Sequence, residues 1–170
     1  MNSVIFGRAA IVAALLLGGG VLLAAPTAAP SRFAESAEKA AEMPTSALMQ
    51  TALAAFRRGD HAEARRSFRL LAQRDIAAAE TLLGTMAANG QGGPKDDAIA
   101  AAWFLRASNR GYAPAQLALA DAFAKGKGVP QDKGRARALA KAAAVQGQPG
   151  AAQLASRLGP ERYAMIGTAR

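Results

Sequence analysis

The chain has 170 residues, room for one domain or a domain with a tail. Lys and Arg number 21 against 12 Asp and Glu, a formal charge of +9, and 51% of residues are hydrophobic, which excludes a charge-rich disordered polymer. Without cysteine there are no disulfides, zinc–thiolate sites or thiol catalysis, and the single histidine, His61, excludes a histidine-rich metal site within one chain. Aromatic residues are scarce and alanine is abundant. A core of alanine and leucine suits closely packed helices better than sheets.

Arg8 is the only basic residue before an uncharged apolar run, Ala9 to Ala25. The run is longer than a usual signal-peptide core and sits at the lower edge of what spans a bilayer. The glycines at 18–20 weaken it as a permanent membrane helix. Small residues at Ala24–Pro30 suit a cleavage site, but the prolines leave no clean one. Residues 1–25 are therefore expected to be a signal peptide or a membrane anchor. Loss of residues 1–30 would remove only Arg8 and leave +8. Residues 26–45, rich in Pro, Ala, Ser and Glu, are expected to be a flexible linker.

The remainder repeats itself. Residues 77–112 set above 113–148 coincide at 12 of 36 positions. Alanine could account for some of these, but not for the string Gly-x-Gly-x-Pro-x-Asp at Gly90–Asp96 and again at Gly126–Asp132. In each unit a first helix ends at Gly90 or Gly126, where a left-handed residue closes it. Gly92 and Gly128 shape a tight link, and Pro94 or Pro130 blocks continuation. Asp96 or Asp97, and Asp132, then cap a second helix that Gly111 or Gly147 ends. Ala79, Ala100 and Ala107 let helices approach closely, while Leu83, Trp103 and Leu105 supply bulk. Leu119, Phe123 and Leu139 do so in the second unit.

This pattern resembles the Sel1-like repeat, a relative of the tetratricopeptide repeat. Leu83, Gly84, Gly90, Gly92, Asp96, Ala100, Trp103, Ala107 and Gly111 match in the first copy. Leu119, Phe123, Gly126, Gly128, Asp132, Ala136, Ala143 and Gly147 match in the second. Ala87 departs from the expected aromatic, Leu139 from the expected Trp, and Gly134 weakens the start of its helix. The resemblance implies an all-α fold: a short α-solenoid of antiparallel helix pairs. The repeat domain is expected at 46–158, with a tetratricopeptide-like hairpin at 46–75 carried by Phe56, Gly59, Asp60, Ala64 and Phe68. Residues 149–158 make a partial capping repeat, and 159–170 are a C-terminal tail. One hairpin, two repeats and a cap just meet what a solenoid needs for stability.

Sites with chemistry are few. His61 could serve as a general base, but at a hairpin turn it reads as a packing residue. The Gly-x-Gly strings look like phosphate loops, yet each follows a helix rather than a strand. Asp96-Asp97 could pair on a metal, but recurrence of the aspartate at Asp132 argues for capping. Trp103 falls on the family's core position, and the setting of Phe104 is open. No catalytic, cofactor or metal residue is assigned, and the chain is read as a non-enzyme.

By resemblance, such repeats bind protein partners along a curved groove formed mainly by first helices. On that mapping Glu80, Thr81, Asn89, Gln116, Lys125 and Gln153 are expected to be exposed partner contacts. The resemblance and the signal-like start together imply a bacterial protein exported to the periplasm or anchored in the inner membrane. The alternative is a binder of anionic envelope polymer, lipid or nucleic acid, driven by charge. Nucleic acid is the weakest of these, lacking a coherent basic stripe with stacking aromatics. A cell-wall enzyme ranks below both. Membrane contact is expected only through the N-terminal segment, and the unfinished last repeat leaves room for an oligomer.

Overall fold

The computed structural model describes Ala40 and residues 42–159. The expected signal or anchor, most of the linker, and the tail from residue 160 on lie outside the described residues. Through the rest run seven α-helices: α1 (Thr45–Arg57), α2 (His61–Gln73), α3 (Ala77–Asn89), α4 (Asp97–Asn109), α5 (Ala113–Lys125), α6 (Lys133–Val145) and α7 (Ala151–Arg157). No strand occurs among the described residues, and none of their helices is long and apolar enough to cross a membrane. The all-α solenoid expected from the sequence is the fold observed.

Punctuation in the sequence sets the helix ends. Gly90 and Gly126 close α3 and α5 in the left-handed conformation, at φ 70° and 68°. The N–H of Gln91 then reaches the Met86 carbonyl, and that of Lys127 the Ala122 carbonyl, satisfying acceptors left over at the helix ends. The second helices start on aspartates. Asp60, Asp96 and Asp132 accept hydrogen bonds from the N–H groups of Glu63, Ile99 and Arg135, at 3.1, 2.9 and 2.9 Å. Asp96, not Asp97, is the cap of α4. These three caps are spaced by 36 residues, so the 36-residue period already begins in the α1–α2 hairpin.

Each helix packs against the next in the chain, and the first helices α3 and α5 also meet. The second helices α4 and α6 form no comparable contact, which puts first helices on the inner side of the stack and second helices on the outer side. The N-terminal core is bulky, with Leu48, Phe68, Leu71 and Met86 all buried. Met43 packs against it, and Arg74 Nη1 donates to the Met43 carbonyl at 2.7 Å, so the last residues of the expected linker belong to the folded unit. Further along, the core thins to alanine: Ala120, Ala140, Ala143 and Ala151 are fully buried.

Trp103, expected in the core, is less buried than its neighbour Phe104, whose setting the sequence left open. Phe104 is buried at the joint between the two repeats, against Ala87, Ala100 and Leu119. Trp103 is half-buried at the edge of the N-terminal core. Gly84 explains the difference, because a Cβ there would lie 2.5 Å from the Phe104 ring. Leu105, expected to supply core bulk, is 48% exposed on the outer face of α4.

The repeats join through glycine. A Cβ on Gly92 would lie 2.6 Å from the carbonyl oxygen of His61, and one on Gly128 would overlap that of Asp97. His61 and Asp97 are each the first residue of a second helix. The link of one unit thus rests on the start of the preceding unit's second helix, and only a bare backbone fits there.

The candidate partner-binding groove

On the inner side, positions four apart on the first helices form a continuous row. It comprises Thr81, Thr85 and Asn89 on α3, Leu117, Asp121 and Lys125 on α5, and Gln153 and Arg157 on α7. All are at least partly exposed. Thr81 and Thr85 donate to the carbonyls of Ala77 and Thr81, at 2.8 and 3.0 Å. Lys125 Nζ pairs with Asp121 at 2.6 Å.

Beside this row, between the two repeats, lies a cavity of about 210 Å³. Ala88, Ala100, Ala101, Phe104, Ala118 and Ala122 line part of it, although most of its surface is polar. Its rim is polar and of both signs, with Asn89, Lys95, Asp97, Asp121 and Lys127. A mostly polar surface with charges of both signs suits the polar side chains and peptide groups of a partner.

Of the six expected contacts, Thr81, Asn89, Lys125 and Gln153 are exposed or half-exposed along the row, and Asn89 reaches the cavity. Glu80 and Gln116 are not exposed. Glu80 is fully buried, and Gln116 is 9% exposed. Each lies one position before the row and turns toward the second helix of its own repeat. Arg106 Nε approaches Glu80 Oε1 at 2.6 Å, and Arg110 Nε approaches Oε2 at 3.4 Å. Both arginines also meet Asp75, and Arg106 donates to the Ala72 carbonyl at 2.8 Å. The cluster is two carboxylates against two guanidiniums, so it is neutral and internally occupied. Gln116 accepts from Gln146 Nε2 at 2.9 Å.

Sequence reading missed Lys95, Asp97, Asp121, Lys127 and Phe104. Asp121 was within reach, since it is the 36-residue equivalent of Thr85 and continues the 81-85-89 spacing. The others line the cavity because the link folds back, with Asp96 N–H on the Ala87 carbonyl and Asp132 N–H on that of Phe123, both 2.9 Å.

His61 packs its ring 5.3 Å from that of Phe56, and its Nδ1 is buried without a hydrogen bond. Among the described residues no three His, Asp or Glu side chains gather to hold a metal.

The family model of the Sel1 repeat matches residues 77–112 and 113–148. Solved structures match as well. The protective antigen c5321 of uropathogenic Escherichia coli, described as displaying an SLR fold, is 26% identical over 73% of this chain, with a TM-score of 0.65. A Sel1 repeat protein from Oxalobacter formigenes is 36% identical over 57% of this chain, with a TM-score of 0.55. The chain spans only 27% and 28% of their lengths. No curated protein matches it.

Proposed function

We propose that this chain, which carries two Sel1 repeats, is a non-catalytic scaffold of the bacterial cell envelope that holds a protein partner on its first-helix face. Sel1 repeats are generally protein-interaction modules, and one observation supports the first-helix face as the surface of contact. The cavity between the repeats sets alanines and Phe104 among groups of both charges, beside a row of exposed side chains. The apolar run Ala9–Ala25 supports export or anchoring at the inner membrane. The second reading is a binder of anionic envelope polymer, lipid or nucleic acid. It is favoured by α6, which carries Lys133, Arg135, Arg137 and Lys141 and no carboxylate.

Capture from envelope extract with the full chain as bait separates the two. The groove reading expects one protein retained through a high-salt wash and lost when Ala118→Trp fills the cavity. Retention unchanged by that substitution overturns it. Loss of all bound material together at high salt supports the charge reading instead.

A further inference from the structure

The outer side of the stack carries a second surface. The 36-residue period sets Arg66, Ala102 and Ala138 at equivalent positions of α2, α4 and α6. It does the same for Arg69, Leu105 and Lys141, and for Gln73, Asn109 and Val145. All nine are exposed. Across this face runs an apolar strip: Ile99, Ala102 and Leu105 on α4, then Ala138 and Val145 on α6. Among the described residues, Ile99, Leu105 and Val145 are the exposed large hydrophobic side chains, at 43, 48 and 89%. All three lie on second helices. Scattered exposed hydrophobics carry no message, but a strip confined to one face does.

Cations frame the strip. Arg66 and Arg69 stand on its α2 side, Arg135 and Lys141 on its α6 side. Arg66 and Arg135 are paired with Glu63 at 2.8 Å and Asp132 at 3.3 Å, so the excess positive charge of the face comes from Arg69 and Lys141. We propose that this second-helix face docks on a bilayer rich in anionic phospholipid, with Leu105 and Val145 entering the headgroup layer while the framing cations meet the phosphates. Charge complementarity and the shape of the face favour lipid over a protein. The exposed apolar side chains of this face stand beside cations, an arrangement that suits an anionic headgroup layer. A fluid headgroup layer needs no pocket, only apolar projections flanked by cations.

The absence of cysteine permits a direct test on the full chain. An environment-sensitive fluorophore is attached at Ala102→Cys, or at Thr85→Cys on the inner side as a control. Vesicles of phosphatidylcholine with phosphatidylglycerol should blue-shift the label at 102 and not at 85. Pure phosphatidylcholine should leave both unshifted, and high salt should weaken the response. Adding Arg69→Glu and Lys141→Glu should raise the lipid concentration needed for half the shift by about tenfold or more. Equal shifts at both labels, or none, would overturn the proposal. So would a shift without vesicles that grows with protein concentration, which would mean that a second copy covers the face. An equal shift from polyglutamate would assign the face to an acidic protein and overturn it as well.

Discussion

Gln146 donates to Gln116 at the two positions that Arg110 and Glu80 hold one repeat earlier. The same joint between first and second helix is thus made once with ions and once with amides. In the first repeat it also reaches backward, because Asp75 brings the end of α2 to the same two arginines. Asp75 occupies the left-handed position, φ 62°, that Gly111 and Gly147 fill in later units. An aspartate there supplies a carboxylate where glycine supplies none.

Removing one member of a buried ionic set costs more than the set contributes, because the partner is stranded. Arg106 and Arg110 are partly exposed and can turn toward water, which moderates the loss. Glu80→Gln is expected to destabilise the protein by about 2 kcal/mol. Adding Arg110→Gln should cost less than the two changes summed, since it rebuilds the amide pair of the second repeat. A double-mutant cycle from denaturant unfolding reads the coupling, and strict additivity would contradict it.

Much of the fold was legible because its punctuation is chemical: glycines at helix ends and an aspartate at each second-helix start. The orientation of helices was less so. Glu80 and Gln116 were expected to face the partner because the family resemblance maps the groove onto first helices without fixing which side of each helix faces it. One helix step of error, about 100°, moved them from the row to the interior. The rim of the cavity escaped because Lys95 and Lys127 sit in links whose path no helical periodicity reports. The outer strip escaped because Leu105 looks like core in any one-dimensional reading.

The glycine joint makes a comparison within one repeat. Gly128→Ala would place a methyl group on the carbonyl of Asp97, at φ 69°. Gly147→Ala meets nothing within 4 Å, so it suffers only the left-handed conformation. The second change should cost about 1 kcal/mol. The first should cost at least twice that, because backbone must shift at the contact between units. Thermal unfolding of the two variants checks the order, and equal losses would refute a steric joint.

Phe104 and Gly84 interlock in the same way. Phe104→Ala empties a buried ring site and should cost about 3 kcal/mol. Trp103→Ala should cost less despite the larger side chain, because the indole is only half-buried. Gly84→Ala should destabilise strongly alone and much less beside Phe104→Leu, which withdraws the ring atoms it strikes. Chemical denaturation of the single and double variants gives both comparisons.

Asp96 and Asp97 are adjacent and alike, yet the structure divides their work. Asp96 accepts the Ile99 N–H and holds the start of α4, while Asp97 lines the cavity between the repeats. Asp96→Ala should lower stability by about 1 kcal/mol, as loss of a capping side chain does. Asp97→Ala should leave stability nearly unchanged, because another residue makes the cap. Asp97→Lys should instead alter partner retention at the groove, by adding a second cation beside Lys95 and Lys127. Unfolding midpoints and envelope capture, measured on the same variants, separate the two roles. If both aspartates moved only stability, the cavity rim would be part of the scaffold and not part of the binding face.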